Sequence, residues 1–302
     1  MIVRATLTLG LRDDLVVEPG AGRLTHALAL DIVRRGDPGV SAWLHPPTRP
    51  RGRPAEIGKE GSPPRRATLL VTSGVVTGRA DGYPDLTRAV PVSAGREVHV
   101  RVTALGGAVC AALLAGLQQT REARLASVRC DVKELRLERV ELDDLWRAAK
   151  DDAGAPIVHF MTPTVFERRG VYVALPLPER VFGSEEDIGG LVRRWLDCAA
   201  VSGRGHARVA EGLAGWGSVH VGVAPLGLEE ARTDMGTWGA VGGFVGRCRF
   251  ECAADHPRHR RGLWALCRFA EYAGVGLKTG MGFGQVRLSP PPGSADGAAG
   301  AI

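Results

Sequence analysis

The hydrophobic positions along the chain predict the same order of secondary structure twice. Strands are indicated where apolar and polar residues alternate, and helices where apolar residues recur every three or four positions. In the first half the order is strand, helix, strand, strand, helix, strand, over 1–10, 23–35, 67–72, 97–103, 108–119 and 127–140. This order is typical of a ferredoxin-like domain, which RNA-recognition modules share.

The second half of the chain repeats this order. The predicted elements are a strand from 157, a helix that includes 191–195, strands at 219–223 and 243–250, a helix at 260–273 and a last strand at 285–288. We therefore predict an α+β fold with two tandem ferredoxin-like (RRM-like, βαββαβ) domains. The first domain would cover 1–142 and the second 143–290. A proline-rich loop is expected over 46–64 and a disordered tail over 291–302.

A glycine-rich segment joins the last predicted helix to the last strand. It reads Gly274-Val-Gly-Leu-Lys-Thr-Gly-Met-Gly-Phe-Gly-Gln-Val286, with five glycines in the first eleven residues. Glycine loses much backbone entropy on folding, so this density favours a site where backbone amides approach a polyanion closely. A P-loop is excluded, because Leu277 rather than glycine precedes Lys278 and a strand rather than a helix follows. A tight connection without a ligand is the alternative.

The composition is that of a soluble globular protein, with 44% hydrophobic and 24% charged residues. No stretch approaches the roughly 20 apolar residues that span a bilayer, and the start lacks a signal-peptide layout, so we expect a cytoplasmic protein. None of the six cysteines forms a Cys-x-x-Cys pair. We expect free thiols and no metal or other cofactor. The alternative is a zinc site formed by Cys248 and Cys252 with His256 and His259, which follow them.

The net charge is +6, and most of the positive residues are arginines. They cluster at 49–53, 65–66, 168–169, 193–194 and 258–261. Because guanidinium groups fork onto phosphate oxygens, several such clusters favour a nucleic-acid partner, although solvated arginine faces would give the same charge. Aromatic residues make up only 5% of the chain, so recognition through backbone charge and shape is expected rather than base stacking.

Four segments carry a resemblance to a known family. They are Leu28-Ala-Leu-Asp-Ile-Val-Arg-Arg-Gly-Asp-Pro-Gly-Val-Ser-Ala-Trp-Leu-His45, Phe160-Met-Thr-Pro-Thr-Val-Phe166 with Leu175-Pro-Leu-Pro178 ahead of Arg194-Trp195, Gly242-Gly-Phe-Val-Gly246, and the glycine-rich segment. In this order they resemble the CRISPR-associated endoribonucleases of the RAMP superfamily, which cut repeat RNA out of precursor transcripts. The resemblance implies two ferredoxin-like domains and metal-independent cleavage through the 2′-hydroxyl. It also implies 2′,3′-cyclic phosphate and 5′-hydroxyl ends.

Cleavage without a metal needs proton transfers, which histidine supplies near neutral pH, and fixed cations beside the phosphorane. By its place after the Asp-Pro pair, His45 matches the family's catalytic histidine, and Arg51 stands where many relatives have lysine. His26 in the first helix is the competing histidine, because some relatives appear to take theirs from this helix. No tyrosine precedes Tyr83, so a tyrosine-assisted mechanism is in doubt.

The resemblance also implies the partners of the chain. We expect CRISPR repeat RNA or crRNA as ligand, with other Cas proteins of an effector complex and a homodimer left open. The alternative function is a RAMP subunit that binds guide RNA without cutting it. The expected RNA-binding residues are Arg49, Arg53, Arg258, Lys278, Thr279, Gly276, Gly280 and Gly282. A salt bridge of Lys278 to the helix, and solvation of Arg258, are the alternatives for those two.

Overall fold

A computed structural model of the chain describes residues 1–45, 69–149, 154–168, 170–183, 190–200, 220–236, 239–252 and 257–289. The α-helices are α1 (Gly22–Gly36), α2 (Pro38–Leu44), α3 (Gly107–Gln118), α4 (Leu142–Ala148), α5 (Pro178–Val181), α6 (Leu191–Ala200) and α7 (Pro257–Ala273). The strands are β1 (Ile2–Leu11), β2 (Leu15–Val17), β3 (Leu70–Thr72), β4 (Val76–Thr77), β5 (Val90–Val92), β6 (Glu97–Leu105), β7 (Glu122–Leu125), β8 (Val128–Val140), β9 (Ile157–Thr164), β10 (Phe166–Arg168), β11 (Val171–Val173), β12 (Val221–Asp234), β13 (Ala240–Cys252) and β14 (Val286–Leu288).

The first half of the chain forms one antiparallel sheet with two helices packed against each other beside it. The strand order is β3-β6-β1-β8-β7, and β4 also pairs with β6. Helices α1 and α3 cross closely at two glycines: a Cβ at Gly116 would lie 1.8 Å from the carbonyl oxygen of Ile32, and one at Gly36 would lie 2.0 Å from that of Ala112. Glycine at the crossing therefore sets how near the two helices come.

The second half forms a sheet of the same topology. Its order is β12-β13-β9-β14, with antiparallel pairing throughout, and α6 and α7 supply its two helices. In both halves the second, third, first and fourth strands of the βαββαβ unit lie side by side in that order. The predicted tandem ferredoxin-like fold is confirmed.

Helix α2 follows α1 directly and was not among the helices predicted from the sequence. The Asp37 side chain accepts the backbone amides of Gly39 at 2.8 Å and Val40 at 3.0 Å, and Pro38 occupies the first helical position. Asp-Pro is therefore a helix start as well as a helix end. The expected loop over 46–64 and the tail over 291–302 lie outside the described residues.

Helix α4 begins at the boundary that we predicted between the domains, and that boundary stays a prediction. Trp146 of α4 contacts the guanidinium of Arg261 on α7, which lies 4.5 Å from the ring centroid and donates to the Trp146 carbonyl at 2.9 Å.

No helix in the described ranges is long and apolar enough to cross a membrane.

Candidate active site

The two candidate histidines lie side by side. His26 is on α1 and His45 directly follows α2, and their ring centroids are 6.4 Å apart with the planes at 67°. They meet because α2 folds back along α1, where the Ser41 hydroxyl donates to the Leu30 carbonyl at 3.2 Å. His45 is exposed and His26 is half-buried. The alternatives left open by the sequence therefore belong to one site.

The glycine-rich segment contacts this site from the second domain. A single 3-10 turn, Thr279–Met281, packs against the start of α1 and the end of β3. A Cβ on Gly280 would lie 3.0 Å from Nδ1 of His26 and 3.2 Å from the Leu70 carbonyl oxygen, and one on Gly22 would lie 1.8 Å from the Met281 carbonyl oxygen. The absence of side chains at Gly22 and Gly280 lets the two domains touch through backbone beside the histidine.

The glycines expected to bind RNA are all buried against backbone of the chain itself. A Cβ on Gly276 would lie 2.5 Å from the Val165 carbonyl oxygen, and one on Gly282 would lie 2.9 Å from that of Ser73. Both also have positive φ angles, 78° and 84°. The glycine density therefore has a structural reason, as in the alternative that the sequence left open. Gly276 packs within the second domain, and Gly282 packs against the first.

A buried hydroxyl, that of Thr72 on β3, joins α1 to the glycine-rich loop. Its Oγ1 lies 3.0 Å from Oγ1 of Thr25 on α1 and donates to the Gly280 carbonyl at 2.7 Å. The carbonyl of Thr72 accepts Nε2 of Gln285 at 3.0 Å. One threonine thus holds the helix that carries His26 and the turn that faces it in a single arrangement.

We expect Thr72→Val to lower the free energy of unfolding by about 1–3 kcal/mol, because the Gly280 carbonyl and the Thr25 hydroxyl lose a buried partner while the shape is nearly kept. Thr77→Val, on the exposed position of β4, is the matched control and should change stability by less than about 0.5 kcal/mol. Urea denaturation of both variants measures the difference. Equal effects would contradict the role given to Thr72.

The surroundings of His26 favour its neutral form. Burial, followed by the nearby His45, lowers the pKa of His26 below its ordinary value, and the Gly280 backbone opposes the shift. Among the residues that the structure describes, Nδ1 of His26 has no hydrogen-bond partner of good geometry. A neutral imidazole can accept a proton, and since Nδ1 is buried, the proton would have to be taken up at Nε2.

The other predicted site residues fall into three groups. Lys278 and Thr279 directly precede Gly280. Lys278 is half-buried in a left-handed conformation (φ 57°), and Thr279 is 3% exposed with its methyl group against Gly274. Arg258 is exposed in the first turn of α7, about 22 Å of helix from the glycine-rich loop at 1.5 Å per residue. Arg49, Arg51 and Arg53 lie outside the described residues.

Arg194 is a structural residue, which corrects its inclusion among the basic clusters. It is 1% exposed, and its guanidinium donates to the carbonyls of Ala273 at 2.6 Å, Gly274 at 2.9 Å and Gly276 at 2.5 Å. These carbonyls end α7 and begin the glycine-rich loop, where a cation satisfies unpaired acceptors and the helix dipole. The position of Arg194 on the same helical face as Leu191 and Cys198 was the sequence signal for burial.

Two further histidines, one on β6 and one on β9, contact hydroxyl groups of the chain itself. His99 lies 3.1 Å from the Thr8 hydroxyl, and His159 lies 2.8 Å from that of Ser289.

Burial raises the pKa of Cys248 to about 11. Within the described ranges, no group of three or more His, Cys, Asp or Glu residues is placed to hold a metal ion.

In the described fold two ferredoxin-like domains are joined, and a glycine-rich loop follows the last helix. A solved RAMP protein described as binding different RNA substrates has 13% identity to this chain and a TM-score of 0.53. The comparison covers 95% of this chain and all of that one.

More specifically, residues 158–286 match the family model described as CRISPR-associated endoribonuclease Cas6. A solved Thermus thermophilus Cas6 in a product complex has 19% identity and a TM-score of 0.69, over 96% of this chain and 100% of that chain. A second Cas6 product complex has 21% identity and a TM-score of 0.62, over 95% and 100%. The predicted resemblance to the Cas6 endoribonucleases is confirmed, by the family model over the second domain and by the fold over nearly the whole chain.

The curated Cas6 endoribonucleases of two Mycobacterium tuberculosis strains are 28% identical to this chain over 144 residues. The match covers 44% of this chain and 38% of those relatives. The chain therefore spans well under half the length of the curated relatives that it matches.

Proposed function

We propose that this chain is a metal-independent endoribonuclease that cuts CRISPR repeat RNA out of precursor transcripts. The 2′-hydroxyl attacks the adjacent phosphate and leaves 2′,3′-cyclic phosphate and 5′-hydroxyl ends. The observation that carries the proposal is the pair formed by His26 and His45, with ring centroids 6.4 Å apart beside the glycine-rich loop. The similar proteins described as endoribonucleases, and the Cas6 structures with product and with a substrate mimic, support it.

Two imidazoles at this spacing can serve the two proton transfers of the reaction. One histidine takes the proton of the 2′-hydroxyl, and the other gives a proton to the departing 5′-oxygen. We assign the base to His26, because its lowered pKa keeps it neutral, and the acid to the exposed His45. The phosphate would lie alongside both rings, because the rings are in edge-to-face contact and leave no space for it between them.

Positive charge beside the phosphate stabilises the phosphorane. We propose Arg51 and Lys278 for this role, with Arg49 and Arg53 as further contacts of the RNA backbone. Because Thr279, Gly276, Gly280 and Gly282 are buried, we propose that they hold Lys278 in place and do not touch the RNA themselves. Lys278 is separated from Gly280, which faces His26, by one residue. Arg258, at the far end of α7, would contact the RNA away from the cut.

The test is to incubate the purified chain with end-labelled repeat RNA in EDTA. We expect one cut, with a 2′,3′-cyclic phosphate on the upstream fragment. The matched control is the same RNA with a single 2′-deoxy nucleotide before the cut, which should bind equally and stay intact. Tight binding of the unmodified repeat without a cut would favour the non-catalytic RAMP subunit instead.

The pH dependence of cleavage tests the role of His26. A base acts in its neutral form, so the single-turnover rate should fall as the pH drops through the pKa of His26. Because burial lowers that pKa, the midpoint of this acid limb should lie below about 6.5, the ordinary value for histidine. The residual rate of His26→Ala should lack the limb. An acid limb that is unchanged in the variant would assign it to another group.

A further inference from the structure

A cavity of about 310 Å³ lies where the two domains meet, and neither His26 nor His45 lines it. Strands β1, β6 and β8 of the first domain contribute to its lining, as do α7 and β14 of the second domain. Residues of the loop that follows β4 complete it. Ligand pockets usually enclose about 300–1,000 Å³. The cavity is therefore large enough for one small organic molecule.

Two arginines of this lining have no carboxylate partner in the part of the chain that the structure describes. Arg101 of β6 is half-buried, and its guanidinium lies 4.9 Å from the ring centroid of Tyr83. Its Nη1 donates to the Ala80 carbonyl at 3.4 Å, and its Nη2 has no hydrogen-bond partner. Arg287 of β14 is exposed and is in no ion pair among the described residues. Unpaired guanidinium groups beside a cavity favour an anionic ligand.

The remaining charges of the lining are already balanced or suppressed. Its other two arginines and two of its three acids form ion pairs, which are Arg4 with Glu138 at 3.6 Å, Arg136 with Glu134 at 2.7 Å and Arg79 with Asp81 at 3.0 Å. The third acid, Glu271, is half-buried, and burial raises its pKa, which disfavours its charged form. Arg101 and Arg287 therefore leave the cavity with an excess of positive charge.

From this cavity we infer a second ligand site, which binds a small molecule that carries one phosphate monoester and is about the size of a mononucleotide. A phosphate monoester carries about −1.5 to −2 charges near pH 7. Two unpaired guanidinium groups match that charge, and each can donate in a fork to phosphate oxygens. The site lies apart from the candidate active site, so the inference does not depend on the proposed cleavage.

The charges around the cavity disfavour a continuous RNA strand at this place. A strand brings one negative charge with every phosphodiester, so several would lie close together. Asp81, Glu134 and Glu138 are exposed at or beside the lining, and each already shares its charge with one arginine. Neighbouring phosphates of a strand would lie near these carboxylates. A single phosphate held by Arg101 and Arg287 avoids them.

The side chains that line the cavity can adapt to such a ligand. Nη2 of Arg101 is shielded from solvent, so the guanidinium has to turn before this nitrogen can donate to a phosphate. Its bond to the Ala80 carbonyl, at 3.4 Å, is long and opposes this rotation only weakly. Gln285 donates through Nε2 to the Thr72 carbonyl at 3.0 Å. Its amide oxygen remains as an acceptor for an N–H or O–H group of the ligand.

The test is isothermal titration calorimetry of the full chain without RNA, using 5′-AMP, inorganic phosphate and adenosine as probes. We expect one 5′-AMP to bind per chain, inorganic phosphate to bind more weakly, and adenosine not to bind. Arg101→Met and Arg287→Met should each weaken the binding of 5′-AMP about tenfold or more, because each removes charged donors to the phosphate. No binding of 5′-AMP, or equal binding of adenosine, would overturn the proposal.

Arg139→Met is the matched control. Arg139 is exposed on β8, on the opposite face of the strand from Arg136. Its loss removes the same charge from the chain, and the variant should bind 5′-AMP like the wild type. A similar loss in this variant would show that net charge, and not the cavity, attracts the nucleotide. Because Arg287 is exposed, its variant tests the site even where Arg101→Met fails to fold.

A second arm of the experiment separates a free nucleotide from the RNA backbone. The chain is first saturated with repeat RNA that carries the single 2′-deoxy nucleotide, and 5′-AMP is then titrated. The nucleotide should bind as it does without RNA. Displacement by the RNA would mean that the RNA itself occupies the cavity, and it would overturn the proposal. Cleavage is not measured in either arm, so failure here leaves the proposed reaction standing.

Discussion

Replacement of His45 by alanine is expected to lower the rate of repeat RNA cleavage by about 10²–10⁴-fold, and replacement of His26 by a similar factor. In the proposed mechanism each change removes one of the two proton transfers, while the residues that we propose to contact the RNA backbone stay in place. Affinity for the repeat should therefore change little. Single-turnover kinetics and a filter-binding assay measure the two quantities.

The double variant distinguishes a working pair from two independent residues. If His26 and His45 act on the same phosphate, the double loss should be close to the larger single loss and not the product of the two. His99→Ala is the matched control, because His99 contacts Thr8 on the sheet, and it should leave the rate unchanged. Full activity of His45→Ala together with an inactive His26→Ala would leave His26 as the catalyst and remove His45 from the mechanism.

Replacement of Arg194 by methionine is expected to have the largest effect on stability, a loss of at least about 3 kcal/mol in the free energy of unfolding. The carbonyls of Ala273, Gly274 and Gly276 would lose a charged donor. Each buried acceptor left without a partner costs about 1–3 kcal/mol. Because these carbonyls hold the glycine-rich loop against the end of α7, cleavage should fall as well.

Arg193→Met is the matched control in the same helix. Arg193 is paired with Asp197 at 2.9 Å, and both side chains are about one-third exposed. Partly exposed ion pairs of this kind contribute below about 1 kcal/mol. Urea denaturation of the two variants should separate them clearly. A similar loss for both would contradict the structural role of Arg194.

The order of elements and the position of the loop could be predicted from the sequence. The strand predicted over 127–140 and the helix predicted over 23–35 agree with the bounds of β8 and α1 to within a residue or two. The spacing of apolar residues involves only neighbouring positions, so the elements it produces can be recognised from the sequence alone. Helix α2 was not predicted, because Asp-Pro can end one helix and also start the next, and both occur here.

The sequence identified the candidate histidines but did not show that they lie close together. His26 and His45 were predicted as alternatives, because nineteen positions separate them in the sequence. The rings come together only because α2 folds back along α1. The role of Arg194 was hidden in the same way. It depends on three carbonyls about eighty residues further along the chain.

By itself the sequence determined two βαββαβ units, a glycine-rich loop before the last strand, a positive charge and a short set of candidate histidines. All of these depend on residue types and near-neighbour spacing. Only the tertiary structure decided that the two histidines lie side by side, that Gly22, Gly280 and Gly282 allow contact between the domains, and that one arginine of a basic pair is buried. Those outcomes depend on close packing and hydrogen bonds between segments far apart in the chain, which local spacing does not encode.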